Sequence, residues 1–139
     1  MGDFTFTSSA VAPIVGNTQI ASGTAGATIN AGQPVYVDPA DNKVKLAANT
    51  NATTAVAVGL AVNSAVANQP IEYATGGDLT VNSLLTPATV YVLGSNPGFL
   101  SPSADLDAST NSRYGTILGI ATSTTNLRLG PLASGVLNP

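Results

Sequence analysis

The chain has no cysteine, no histidine and no tryptophan in 139 residues, and only 8% of its residues are charged. Each absence removes a class of chemistry. Without cysteine there is no disulfide framework and no thiolate metal site. Without histidine, Ser–His and Cys–His nucleophiles, imidazole ligands and the commonest general base are gone as well. No P-loop or dinucleotide fingerprint occurs, and Gly23-Thr24-Ala25-Gly26 is only a flexible stretch. The expectation is a protein that is not an enzyme, with no cofactor and no metal.

Charge is scarce, against roughly 25% in typical soluble domains. The four basic residues, Lys43, Lys45, Arg113 and Arg128, form no dense cluster, and the net charge is −3. Counterion-release binding needs several phosphate contacts, so nucleic acid is not an expected partner. Met1-Gly2-Asp3-Phe4-Thr5 has neither a basic n-region nor an apolar h-region, so no signal peptide is expected. The longest apolar run, residues 55–62, is far below the ~20 residues of a membrane-spanning helix, so no membrane partner is expected. The surface left over, rich in Thr, Ser, Asn, Ala and Gly, loses water cheaply when a partner covers it. That suits life inside an assembly; a neutral, soluble β domain is the plainer alternative.

What the chain does contain is 44% hydrophobic residues, mostly Ala, Val, Leu and Ile, with 5% aromatics. Such small and β-branched side chains fill thin sandwiches and small barrels. No window has a helical period with caps, and Thr, Val, Gly and Asn disfavour long helices.

A β-unit is repeated. Val35-Tyr36-Val37 recurs as Val90-Tyr91-Val92, and Val58-Gly59-Leu60-Ala61 as Leu118-Gly119-Ile120-Ala121. Ile71-Glu72-Tyr73 then matches Leu127-Arg128-Leu129, with the turn before it four residues shorter in the second copy. In each copy a strand leads through a turn (Asp38-Pro39-Ala40-Asp41-Asn42, or Gly94-Ser95-Asn96-Pro97-Gly98) into a second strand. The Val-Gly-Leu-Ala and Leu-Gly-Ile-Ala strands are apolar on both faces and are placed centrally, their glycines marking a bulge or a close backbone approach. Gly76-Gly77-Asp78 reads as a turn between the copies. The expected fold is all-β, a small barrel or a sandwich of two pseudo-repeats (about 29–75 and 84–130) within a β domain over 29–130. Residues 131–139 are expected to be a docked or disordered tail.

Residues 1–28 lie outside the repeat. Phe4-Thr5-Phe6-Thr7 alternates like an edge strand, and the rest is Ser, Ala, Gly and Thr. An extended N-terminal arm is expected, either frayed or adding a strand to a neighbouring subunit.

Carboxylates are the remaining source of chemistry. Asp105 and Asp107, two apart, would share a strand face as a glycosidase dyad or a Ca²⁺ site, but they read better as solvation of a long loop. Asp38 and Asp41 read as turn residues. Glu72 and Arg128, at equivalent places, offer a cross-copy ion pair or a solvated surface. Tyr36 and Tyr91 point opposite to their valine neighbours, which makes them candidates for an interface patch or a second packed face. With Phe4 and Phe6 they complete the expected interface residues.

Ala31-Gly32-Gln33-Pro34-Val35-Tyr36-Val37, the two glycine-bearing strands, and the run from Pro87-Ala88-Thr89-Val90-Tyr91-Val92-Leu93 to Pro97-Gly98-Phe99-Leu100-Ser101-Pro102 resemble the capsid cement, or head decoration, proteins of tailed bacteriophages. The likeness spans about residues 29–130. It implies a small β-barrel or β-tulip, often a homotrimer, on the outer capsid surface of the virion. There it would bridge capsomers of the major capsid protein and hold them against DNA pressure. The competing function is a receptor- or glycan-binding head domain of a phage fibre or adhesin, with Tyr36 and Tyr91 in a groove.

Overall fold

The computed structural model describes residues 4–81, 85–103 and 113–138. The architecture is all-β, as expected, with the antiparallel sheet curled into a half-barrel. A 3-10 turn at Ser8–Ala10 precedes β1 (Ala12–Pro13) and β2 (Gln19–Thr24). Then come β3 (Pro34–Val37), β4 (Val44–Leu46), β5 (Gly59–Ala61) and β6 (Pro70–Thr80). The second half holds β7 (Val90–Leu93), β8 (Leu100–Pro102), β9 (Arg113–Ala121) and β10 (Asn126–Asn138).

The main path runs β4-β3-β5-β6-β10-β9-β7-β8, so each half has the same strand order about the β6/β10 seam. The register does not repeat with it. Val35 faces Gly59, whereas Gly119 faces Tyr91, one residue beyond the sequence equivalent of Val35. Ala61 faces Tyr73, whereas Ala121 faces Leu127.

Period-2 alternation turns one set of side chains inward. Tyr36, Leu60, Ala74, Tyr91, Leu93, Leu118, Leu127 and Leu129 join Phe6 and Val11 in the central core. The opposite faces of β3, β5 and β6 build a second core from Val35, Ala61, Ile71 and Tyr73, roofed by Ala25, Ile29 and Ala65. Burial of each large aliphatic side chain contributes about 1.5–3 kcal/mol, an upper figure against a compact unfolded chain. The β5 strand is buried on both faces, as its unbroken apolar sequence predicts.

Three expectations change. The Gly76-Gly77-Asp78 segment is no turn but the interior of the eleven-residue strand β6, which crosses from one half to the other. Gly77 takes φ +75° there, and its bare Cα lets Asn17 lie against it. Glycine with positive φ serves a bulge as well as a turn, and local sequence does not separate the two. The C-terminal residues through Asn138 are not a tail but the end of β10, paired with β9.

The N-terminal segment is also part of the domain's own sheet. β2 and β1 line one edge of β6, with β5 and β10 pairing with its residues too. Phe4 exchanges two backbone hydrogen bonds with Leu100 on the terminal strand β8, at 2.8 and 2.9 Å. Ala25 bridges Val44 on β4, the other end of the path. Both terminal strands are thus covered by the same segment, which blunts open edges.

Candidate binding surface

The four expected interface residues are not an exposed patch. Tyr36 and Tyr91 are 7% and 4% exposed, Phe6 is buried, and Phe4 is half-buried. Phe4 meets Phe6 and Tyr91 edge-on, with centroids 5.5 and 5.7 Å apart. These geometries are favourable aromatic contacts within a core. The reason is the double layer: alternation puts tyrosine and valine on opposite faces, and in β3 both faces are covered. The Tyr91 hydroxyl accepts a hydrogen bond from the Thr86 amide at 3.0 Å.

Asp38 and Asp41 form the β3–β4 turn. Their carboxylates accept the backbone N–H groups of Ala40 and Lys43, at 2.9 and 3.0 Å. Lys45 Nζ lies 2.7 Å from Asp38 and 3.2 Å from Asp41. The Lys45 hydrogen bond, followed by the Ala40 N–H, holds Asp38 below the usual carboxylate range. Asp41 is lowered chiefly by the Lys43 N–H and then by Lys45. A carboxylate lowered on folding stabilises the fold above its unfolded pKa, and that contribution is lost as pH falls through the folded value. Lys45→Met is therefore expected to lower the urea midpoint at pH 7, with the difference from wild type shrinking below about pH 4. A difference as large at pH 2.5 as at pH 7 contradicts the assignment.

Arg128 does not reach Glu72. Its guanidinium binds Asp78, Nε to Oδ1 at 2.9 Å, while Glu72 is exposed. Position by repeat equivalence is overridden by direct cross-strand pairing, because Arg128 and Asp78 face each other between β10 and β6. Asp105 and Asp107 lie outside the described residues.

The surface that stands out is the outer face of β7, β9 and β10. Across these strands Val90, Ile120 and Arg128 are aligned, and so are Val92, Ile117 and Leu132. A register shift between Tyr91 and Val92 leaves Leu118 without an opposite residue and brings Ile117 and Ile120 to the same side. Ile117, Ile120 and Leu132 are 42%, 39% and 63% exposed. A groove of about 490 Å³ runs over Val92, Ile117 and Leu132, and a second of about 260 Å³ over Val90, Ile120 and Arg128. Ile117 lines both, so the two hollows are neighbours on one apolar face. Its charged rim group, Arg128, is neutralised by Asp78. Such a face recognises by shape and apolar contact rather than by charge.

The face was missed from sequence, although its signal was present. Ile120 falls in a strand read as apolar on both faces and Leu132 in the expected tail, and nothing local marks one face of a strand as uncovered. The chain matches no protein-family model and no curated protein.

Proposed function

We propose that this is a virion structural protein that decorates and stabilises the outer capsid surface of a tailed phage, bridging capsomers of the major capsid protein. The observation that carries the reading is the uncovered apolar face of β7, β9 and β10 on a rigid sheet poor in charge. Contiguous exposed apolar surface on a small domain is characteristic of protein docking. A surface with few ionic groups gives up its water at low cost over a wide contact. The curled sheet, with its terminal strands covered by the chain's own N-terminal segment, is built to stay folded while held by a partner. The resemblance in residues 29–130 to capsid cement proteins points the same way.

The test is the composition and robustness of particles. Purified virions are expected to carry the protein in many copies, distributed over the capsid, and particles made without it are expected to release DNA at lower temperature. A handful of copies confined to the tail tip favours a fibre head instead. Absence from purified particles sinks both readings.

A further inference from the structure

The two halves of the sheet share a strand order, yet among the described residues only the first is roofed on its outer face. In the first half Val35, Ala61 and Ile71 turn away from the central core and are still buried, because Ala25, Ile29 and Ala65 lie over them. In the second half Val90, Ile117 and Ile120 turn the same way and remain partly open. The connection that carries Ala65 over the first half is residues 62–69. Its counterpart between β9 and β10 is residues 122–125, four residues shorter and so up to about 13 Å less in reach.

We propose that this groove is completed by an extended, uncharged segment of small apolar residues supplied by the partner protein. It lies across β7, β9 and β10 as residues 25–29 and Ala65 lie across β3, β5 and β6. The chemistry of the occupant follows from three observations. The roof of the first half is built from alanine and isoleucine, and residues 4–37 contain no charged side chain at all. Charge matching requires the same in the second half, since Arg128 is already paired with Asp78 and an incoming carboxylate would gain no free cation there. Shape sets the form: the open side chains border two adjoining hollows along the rows Val90–Ile120 and Val92–Ile117–Leu132. A single segment fits that face better than the flank of a second domain.

The occupant does not add to the sheet edge. Beyond Leu129, β10 carries Pro131, which has no N–H to donate, and Gly135 at φ +69° amid register shifts. Proline and bulges spoil an edge for strand addition. Recognition therefore rests on side chains seated between the rows Val90–Ile120 and Val92–Ile117–Leu132.

The identity of the partner rests on the particle-bound reading above; the chemistry of the groove does not. The probe is a synthetic peptide with the sequence of residues 23–31, Gly-Thr-Ala-Gly-Ala-Thr-Ile-Asn-Ala, titrated into the full isotopically labelled chain. Amide shifts are expected around Ile117, Ile120 and Leu132, and the same peptide carrying Ile29→Asp is expected to bind at least tenfold more weakly. Ile117→Asp and Ile120→Asp, each checked for an unchanged unfolding midpoint, are expected to weaken the parent peptide by a similar factor. Shifts that are absent, scattered over the surface, or equal for the two peptides overturn the proposal. Virions that carry both variants at wild-type copy number also overturn it, and they leave the particle reading intact. Peptide binding in the groove by a protein missing from virions supports the groove and removes the capsid as the source of the segment.

Discussion

Gly59→Ala is expected to cost the domain about 3 kcal/mol or more, a large part of the 5–15 kcal/mol that holds a small domain together. Gly59 does not need glycine for an unusual backbone angle. It needs it because β6 passes directly over it, so a Cβ would fall on the Ala74 carbonyl. That obstacle is backbone, and it cannot rotate away as a side chain does. Neither can β5 retreat, since Leu60 is buried in the central core and Ala61 in the second. Gly119 has the same relation to the Arg128 carbonyl. Its strand, however, is open on the outer face at Ile117 and Ile120, so β9 has room to shift and Gly119→Ala is expected to cost less. Gly130, with open space around it and no positive φ, serves as the control, and its alanine variant is expected within about 0.5 kcal/mol of wild type. Urea unfolding of the three variants measures the order directly. A Gly59→Ala protein as stable as Gly130→Ala would show that the strands are not packed this closely.

These glycines also mark what sequence conveys well. A central apolar strand with an internal glycine implies close backbone approach, and β5 and β9 both deliver it. The hairpin at Asp38 to Asn42 was legible for a similar reason, since Asp and Asn at a turn have few other uses and Asn42 takes φ +58° there. Illegible features depend on what covers what. Alternation places Tyr36 opposite Val35, but it says nothing about whether one face or both will be roofed. In β3 both faces are covered, and in β7 the tyrosine faces the central core, so Tyr36 and Tyr91 are both buried. Incorporation of the N-terminal segment into the sheet was hidden because β2 is held chiefly through its backbone: its sequence Gln-Ile-Ala-Ser-Gly-Thr is mostly exposed yet pairs along its length with β6. The candidate groove left one trace, the shortened turn before β10. Its meaning emerges only when the longer turn is seen carrying Ala65 over the other half.

Deletion of residues 2–20 is expected to abolish cooperative folding, because the segment expected to be an extended arm carries part of the core. Phe6 and Val11 are in the central core, both in contact distance of Gly32, where a Cβ would meet Val11 Cγ2 at 2.9 Å and Phe6 Cβ at 3.1 Å. Losing a buried phenylalanine alone costs about 3–5 kcal/mol, and Val11 adds about 1.5–3. The deletion also removes β1 and the start of β2 from the edge of β6. With them go the hydrogen bond from the Asp78 amide to Asn17 Oδ1 at 2.6 Å and the contact of the Thr18 hydroxyl with the Asp78 carbonyl. Together these losses match the whole stability of an ordinary small domain. A shorter deletion, residues 2–5, separates the roles. It spares Phe6 and Val11 but frees the β8 edge that Phe4 covers, so the product is expected to fold and to associate as concentration rises. Near-UV circular dichroism and a sharp thermal transition report the fold, and sedimentation reports the association. Should residues 21–139 melt as sharply as the full chain, the N-terminal segment is an arm after all. If they do not, the N-terminal segment is part of the folded domain, and a docking surface must be sought on the sheet itself.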